Sequence, residues 1–251
     1  MFTDIEGFTS LAEKLSPEEL AKKLGLYLQV MAEAVEHERG TIDKYIGDAV
    51  MAFWNAPQPV PEHARRACAA VVLARRRARE LFESQAWAGL PPLVTRFGVH
   101  TASVMVGHFG APSRLSYTAL GDGVNLAARL EPLCKQYGVV AIVSEVVYLA
   151  AKDAFVFRRL DRVAVKGKTQ GIDVYELVGA IDDDVPNAAE LRRYEAAFEL
   201  YLERKFSAAL DVLKPLAACD PASANLYDRC ARLRDSPPGE DWAGLHVATS
   251  K

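Results

Sequence analysis

Two aspartates, Asp4 and Asp48, fall where a predicted strand ends and where a predicted hairpin turns. Carboxylates in such places can share hard divalent cations with the phosphates of a substrate, as at a typical magnesium site. Each also has a plainer explanation, Asp4 as the cap of the following helix and Asp48 as a turn residue, and taken singly either is better explained that way. Glu6-Gly7-Phe8 leads into a helical stretch. A glycine there lets backbone N–H groups come close to an anion, and a triphosphate suits such a cradle. Asn125 and Arg129 stand four apart on a predicted helix and so share one face. An arginine beside a neutral amide suits charge developing on a phosphoryl group, and a solvent-facing pair is the plain alternative.

These residues need elements to hold them. Only Met1, Phe2 and Thr3 precede Asp4, fewer than a usual strand, which raises the expectation that the chain is a fragment of a longer protein. Ser16-Pro17-Glu18-Glu19 reads as a capping box with proline at the first helical position. Leu20, Leu24, Tyr27, Met31 and Val35 continue it as an amphipathic stripe. Residues 41–45 and 49–54 read as a hairpin around Ile46-Gly47-Asp48. Residues 62–82 read as a helix, 95–101 with 102–108 as a second strand pair, 121–137 as a helix and 139–143 as a buried strand. Ser144 is placed to cap a short helix, and 155–165 and 172–178 complete the strands. Hairpins recur without strict βαβ order, so the pattern predicts an α+β sandwich, helices covering a mostly antiparallel sheet.

An acidic, proline-ended stretch near residue 184 predicts a boundary: a first domain over 1–183, a helical extension over 184–235, and a loosely ordered tail over 236–251. Leu191, Tyr194, Phe198 and Tyr201 form one stripe, Ser207 is placed to cap a second helix, and Asp220-Pro221 to open a third. Residues 191–219 have the length and small-residue pattern of a tetratricopeptide unit, which either packs structurally or offers a surface to a protein partner.

Half of the 251 residues are hydrophobic and a quarter charged, the balance of a globular domain. The formal charge of -3 gives no field to collect nucleic acid, and the run Arg75-Arg76-Arg77 with Arg79 reads as a solvated helix face. No stretch reaches the roughly 18 apolar residues of a membrane span. Cys68, Cys134, Cys219 and Cys230 lack a metal-ligand or redox spacing, so reduced thiols in the cytoplasm are expected.

Three segments together carry a resemblance: Phe2-Thr3-Asp4-Ile5-Glu6-Gly7-Phe8-Thr9, then Asp43-Lys44-Tyr45-Ile46-Gly47-Asp48-Ala49, then Thr118-Ala119-Leu120-Gly121-Asp122-Gly123-Val124-Asn125-Leu126-Ala127-Ala128-Arg129. Over residues 1–180 the chain resembles the class III nucleotidyl cyclases, whose ferredoxin-like catalytic domain is a sandwich of the kind just predicted. The resemblance implies that Asp4, Asp48 and the Ile5 carbonyl bind two divalent cations, Mg2+ or Mn2+, and that Asn125 and Arg129 orient the ribose and stabilise the transition state. It further implies that Lys166 holds the polyphosphate with Gly7 and Phe8, while Lys44 and Thr118 meet the purine. Adenine presents an acceptor at N1 and a donor at N6, which suit an ammonium and a hydroxyl; guanine presents the reverse. In guanylate cyclases the lysine position carries glutamate, so Lys44 implies ATP. Threonine at 118, where many relatives have aspartate, resembles the subgroup often stimulated by bicarbonate.

The implied activity is an adenylate cyclase that makes 3′,5′-cyclic AMP and pyrophosphate at sites shared across a homodimer, the metal aspartates of one protomer facing the other residues of its partner. A guanylate cyclase and a nucleotide-binding regulatory module with little turnover are the alternatives. Relatives of this kind commonly follow sensory or membrane modules, which makes a multidomain or membrane-anchored parent the analogy. Two departures stand out: Ala102 replaces a usual glycine, and Glu38-Arg39-Gly40 replaces a common His-Gly-Gly. His100 belongs to the family pattern in a structural capacity.

Overall fold

The computed structural model describes residues 1–164, 171–183, 188–239, 242 and 244–247. Strand β1 (Phe2–Ile5) leads through the short helix α1 (Phe8–Ala12) to α2 (Pro17–His37). The capping box forms as its residues predict: the Glu19 amide donates to Ser16 Oγ at 3.3 Å and the Ser16 amide to Glu19 Oε2 at 3.2 Å. Strands β2 (Thr41–Ile46) and β3 (Ala49–Phe53) are the expected hairpin. Gly47 at its turn has a φ of 64°, open to a residue without Cβ, and this delivers Asp48 to the mouth of the hairpin. The chain continues through α3 (His63–Glu83), β4 (Thr95–Val99), β5 (Met105–Ala111), β6 (Arg114–Leu120), α4 (Asp122–Tyr137), β7 (Ala141–Ser144) and α5 (Glu145–Ala151). Strands β8 (Phe155–Ala164) and β9 (Ile172–Ala180) precede α6 (Ala188–Leu202), α7 (Phe206–Leu213), α8 (Pro221–Asp235) and β10 (Leu245–Val247).

Eight strands form one sheet in the order β10-β8-β9-β7-β4-β1-β3-β2. The pairs β4–β7 and β8–β10 are parallel and the other pairs antiparallel, so the fold is α+β with a mixed, mostly antiparallel sheet. Strand β7 shows how the sheet feeds two cores. Ala141 and Val143 face a cluster built with α2, α3 and α5, whereas Ile142 between them faces a second cluster built with α4 and α6 to α8. That alternation is the two-residue period of a strand covered on both faces.

Four expectations are corrected. β4 and β5 do not form a hairpin; β5 pairs instead with β6, from Met105↔Leu120 to Ala111↔Arg114, in a separate two-stranded sheet. The strand at 114–120 carries no signal of its own because much of it is exposed, and an outward strand needs no hydrophobic alternation. α7 starts at Phe206 with Lys205 as its N-cap, not with Ser207 as cap, because the buried Phe206 anchors the first turn in the core. Ser144 occupies the N-cap position of α5, but its side chain lies 2.7 Å from His100 Nδ1 instead of capping the helix. The arginine run is not a uniformly solvated face: Arg75 Nη1 donates to the carbonyls of Leu177 and Val178 at 3.1 and 3.0 Å.

The C-terminal helices spend their aromatic stripe on the sheet. Tyr194, Phe198 and Tyr201 are buried in the cluster that also contains Leu126, Leu130 and Tyr137 of α4. Asp220 caps α8, accepting from the Ser223 amide at 2.8 Å, and pairs with Arg158 of β8 at 2.6 Å. Arg229 of α8 pairs with the fully buried Asp161 of β8 at 2.7 Å, and Tyr137 OH donates to the same carboxylate at 2.5 Å. Beyond α8, Trp242 meets Tyr201 edge-on at 5.1 Å between ring centroids.

Both departures from the family pattern are legible as sterics. Ala102 fits because Gly123 of α4 lacks a Cβ; one added there would lie 2.6 Å from the Ala102 methyl. Arg39 sits at φ 61°, in the left-handed region that glycine occupies more readily. Gly98 of β4 has less freedom. An added Cβ would lie 2.5 Å from both the Ala127 carbonyl oxygen and the Glu131 amide nitrogen of α4, backbone atoms that cannot step aside. Gly98→Ala is therefore expected to cost about 1–3 kcal/mol by overpacking. Urea unfolding midpoints check this, and an unchanged midpoint would show that α4 tolerates displacement.

Candidate active site

Asp4 lies on β1 opposite Arg96 of β4, whose Nη2 pairs with Asp4 Oδ2 at 2.6 Å. The Ile5 amide donates to Asp48 Oδ2 at 3.1 Å, so the first strand and the hairpin turn are tied together where the two aspartates meet. Burial raises the Asp48 carboxyl above its ordinary value, and the neighbouring Asp4 carboxylate adds to the rise. Two hard-oxygen side chains drawn close in partial burial, with Ile5 between the elements, fit a divalent-cation site. Among the described residues no cluster of three or more His, Cys, Asp or Glu side chains forms such a site, so substrate phosphates would have to complete the ligand set.

Arg96 reaches further. Its Nε lies 2.9 Å from Glu131 Oε1 of α4, an ion pair in which neither atom has a well-aligned hydrogen bond. Burial pushes the Glu131 carboxyl up to about 7, against the pull of Arg96. The folded chain thus holds a proton that the unfolded chain has released, and stability falls as pH rises from the ordinary value of 4.5 towards about 7. Glu131→Gln is expected to flatten that slope. In metal-free buffer, urea midpoints at about pH 5 and about pH 8 should diverge less in the variant than in the unmodified chain, and equal slopes would reject the assignment.

A second group forms where β2 meets β6. Lys44 Nζ lies 3.2 Å from Asp43 Oδ1, and Thr118 Oγ1 donates to Asp43 Oδ2 at 2.5 Å. The Ala119 amide donates to the same oxygen at 3.2 Å. The expected purine-facing residues are therefore gathered around one carboxylate. Asn125 and Arg129 lie exposed on the first turns of α4, one helical step apart. Gly7 starts α1 at φ 70°, with open space where a Cβ would stand, and Phe8 beside it packs partly into the core. Lys166 lies outside the described residues. A cavity of about 780 Å³ lined by Trp54, His63, His100, Val104 and Val147 touches none of these charged candidates.

Sequence reasoning missed Asp43, Arg96 and Glu131. An acid immediately before Lys44 was the available signal for Asp43. Arg96 had none, since only the strand register sets it opposite Asp4.

Paired carboxylates, a hairpin lysine and a helix-borne arginine on this α+β frame are compatible with a nucleotide-handling domain. The family "Adenylate and Guanylate cyclase catalytic domain" matches residues 1–179, and the chain belongs to it, as a class III cyclase catalytic domain. Adenylate cyclase 1 of Rhizobium meliloti is 42% identical over 181 residues, covering 72% of this chain and 27% of that protein. The adenylate cyclase of Anabaena cylindrica is 36% identical over 186 residues, covering 70% of this chain and 36% of its own length. The chain thus spans about a third or less of these relatives. Among solved structures, the adenylyl cyclase CyaB of P. aeruginosa aligns with a TM-score of 0.64 at 35% identity, covering 72% of this chain and 93% of that one. The guanylyl cyclase Cya2 aligns with a TM-score of 0.63 at 31% identity, covering 74% and 92%. The two structural neighbours are named for different nucleotides, so the backbone alone does not choose the base.

Proposed function

We propose that this domain is an adenylate cyclase, and the observation that carries the choice of base is the convergence of Lys44 and Thr118. An ammonium donor suits adenine N1 and a hydroxyl acceptor suits its 6-amino group, while guanine would leave both badly paired. The ribose 3′ oxygen attacks the α-phosphorus as its proton passes to solvent water, and the bond from the α-phosphorus to the leaving pyrophosphate oxygen breaks. Asp4, Asp48 and the Ile5 carbonyl are the residues to hold the cations. Two divalent ions, Mg2+ or Mn2+, would supply a lowered 3′-hydroxyl pKa and neutralise the leaving phosphates. Arg129 meets the charge that develops on the α-phosphate, and Asn125 orients the ribose. The amides after Gly7 and Phe8, with Lys166, take the polyphosphate.

A symmetric homodimer completes each site in this reading. Its support is the β5–β6 hairpin, which stands apart from the main sheet with Met105 at 70%, Leu115 at 56% and Leu120 at 48% exposure. Tyr45 and Ile46 of β2 are exposed as well. Apolar side chains at such density are suited to a second copy. We read residues 1–183 as the catalytic unit and 184–235 as a helical unit attached to it; burial of Tyr194, Phe198 and Tyr201 favours support of α4 over partner docking. No helix among the described residues is long and apolar enough to cross a membrane. The greater length of the relatives supports a multidomain parent; its compartment rests on the expected reduced thiols alone. A bicarbonate response rests on Thr118 alone.

The test is product formation by the purified chain from ATP and from GTP with manganese, over a range of protein concentrations. Cyclic AMP from ATP, little product from GTP, and specific activity that rises with concentration are expected. A folded dimer that makes neither product would reject the proposal.

A further inference from the structure

We infer that Asp43 is a positioning residue that sets base selectivity, by committing the Thr118 hydroxyl to act outward as an acceptor and holding Lys44 as the donor beside it. This rests on the adenylate cyclase reading and adds a residue to it. Asp43 falls at the register shift of β2, between the pairs Ile42↔Ala52 and Lys44↔Met51. Such a bulge breaks strict alternation and re-aims a side chain, which here lets two consecutive residues meet across one carboxylate. The Asp43 side chain is 0% exposed, so it works through its neighbours and not by touching a nucleotide.

The bonding decides polarity. A carboxylate only accepts, and a threonine hydroxyl has one proton and two lone pairs. With that proton given to Asp43 Oδ2 at 2.5 Å, what Thr118 can offer a base is lone pairs. The Ala119 amide, 3.2 Å from the same oxygen, fixes the carboxylate on β6. Lys44 Nζ stands 3.2 Å from Oδ1, an atom with no well-aligned hydrogen bond, and its side chain is 44% exposed. The ammonium is therefore held near the carboxylate by charge, with its protons left to donate elsewhere. Donor and acceptor side by side match adenine N1 and N6. Hypoxanthine, with N1–H and O6, would meet a donor with a donor and an acceptor with an acceptor. Without Asp43 the hydroxyl is a free rotor that could present its proton to O6. Selectivity then belongs to the carboxylate as much as to the threonine.

The test compares the unmodified chain with Asp43→Ala, which removes the acceptor of the Thr118 proton, each also in a Thr118→Val background, using ATP, inosine triphosphate and purine riboside triphosphate. Steady-state kinetics with manganese give kcat and KM, and displacement of a fluorescent ATP analogue by the same nucleotides reads selectivity without turnover. Asp43→Ala is expected to lower the preference for ATP over inosine triphosphate by about tenfold or more, since mispaired polar groups dominate such discrimination. In the Thr118→Val background the same substitution should change that preference much less. If ATP and inosine triphosphate lose the same factor, Asp43 is merely structural and the inference is overturned. Should Asp43→Ala fold poorly, Asp43→Leu, which fills the space without an acceptor, is judged by the same two outcomes. A chain that prefers ATP in binding yet forms no cyclic product would sink the cyclase proposal and leave the binding ratios to judge Asp43. A chain indifferent to the base would sink both.

Discussion

Asp48→Ala and Arg129→Ala, assayed separately with ATP and manganese, are each expected to lose about a hundredfold or more of cyclic AMP production. Their equimolar mixture is expected to recover about a quarter of the unmodified activity, because a mixed two-fold dimer has one site with both lesions and one with neither. The two losses have different causes. Asp48 sits beside Asp4 at the hairpin turn, so under the proposed function its removal takes away an oxygen ligand. Arg129 projects from an exposed position of α4, and under the proposed function its removal takes away charge at the reacting phosphate while the fold stands. Recovery on mixing requires that these residues serve one site from different protomers. If the mixture stays inactive while each variant remains dimeric, each site is built within one protomer and the shared-site geometry is wrong.

Arg229→Met is expected to destabilise the chain by about 3–5 kcal/mol, the usual consequence of stranding one partner of a buried ion pair. Asp161 is 0% exposed and, besides Arg229, holds the Tyr137 hydroxyl at 2.5 Å and the Arg162 amide at 2.7 Å. The arginine also bonds Asn225 at 3.1 Å and stacks over Tyr201 at 5.7 Å, so α8, β8 and the end of α4 meet at one charge pair. Replacing both partners, Arg229→Met with Asp161→Leu, should recover most of the loss, since no charge is then left without a counterpart. Urea denaturation of the two variants checks this. A double variant as unstable as the single one would mean that packing around Tyr201 and Tyr137, not the charge, holds the extension to the sheet.

Much of the candidate site could be set on its elements from the chain because the candidate residues lie in short contiguous runs. Asp4 and Gly7 fall within one strand-to-helix passage, Lys44 and Asp48 within one hairpin, and Asn125 and Arg129 on one turn of helix, so local periodicity sufficed to set them on their elements. The capping box at Ser16 and Glu19 and the turn at Gly47 were equally local. Arg96, Glu131 and Asp43 were not readable in the same way. Arg96 matters only because strand register sets it across from Asp4, and Glu131 because Gly98 lets α4 descend onto β4. Asp43 matters because a bulge turns it towards β6, a strand from a separate sheet more than seventy residues later in the chain. The amino-acid sequence by itself determined the family, the nucleotidyl cyclase catalytic domain, through residue types at short spacings. Only the tertiary structure decided what holds those residues in place. Strand register, close helix approach and buried charge pairing join residues far apart in the chain, and no local pattern encodes such contacts.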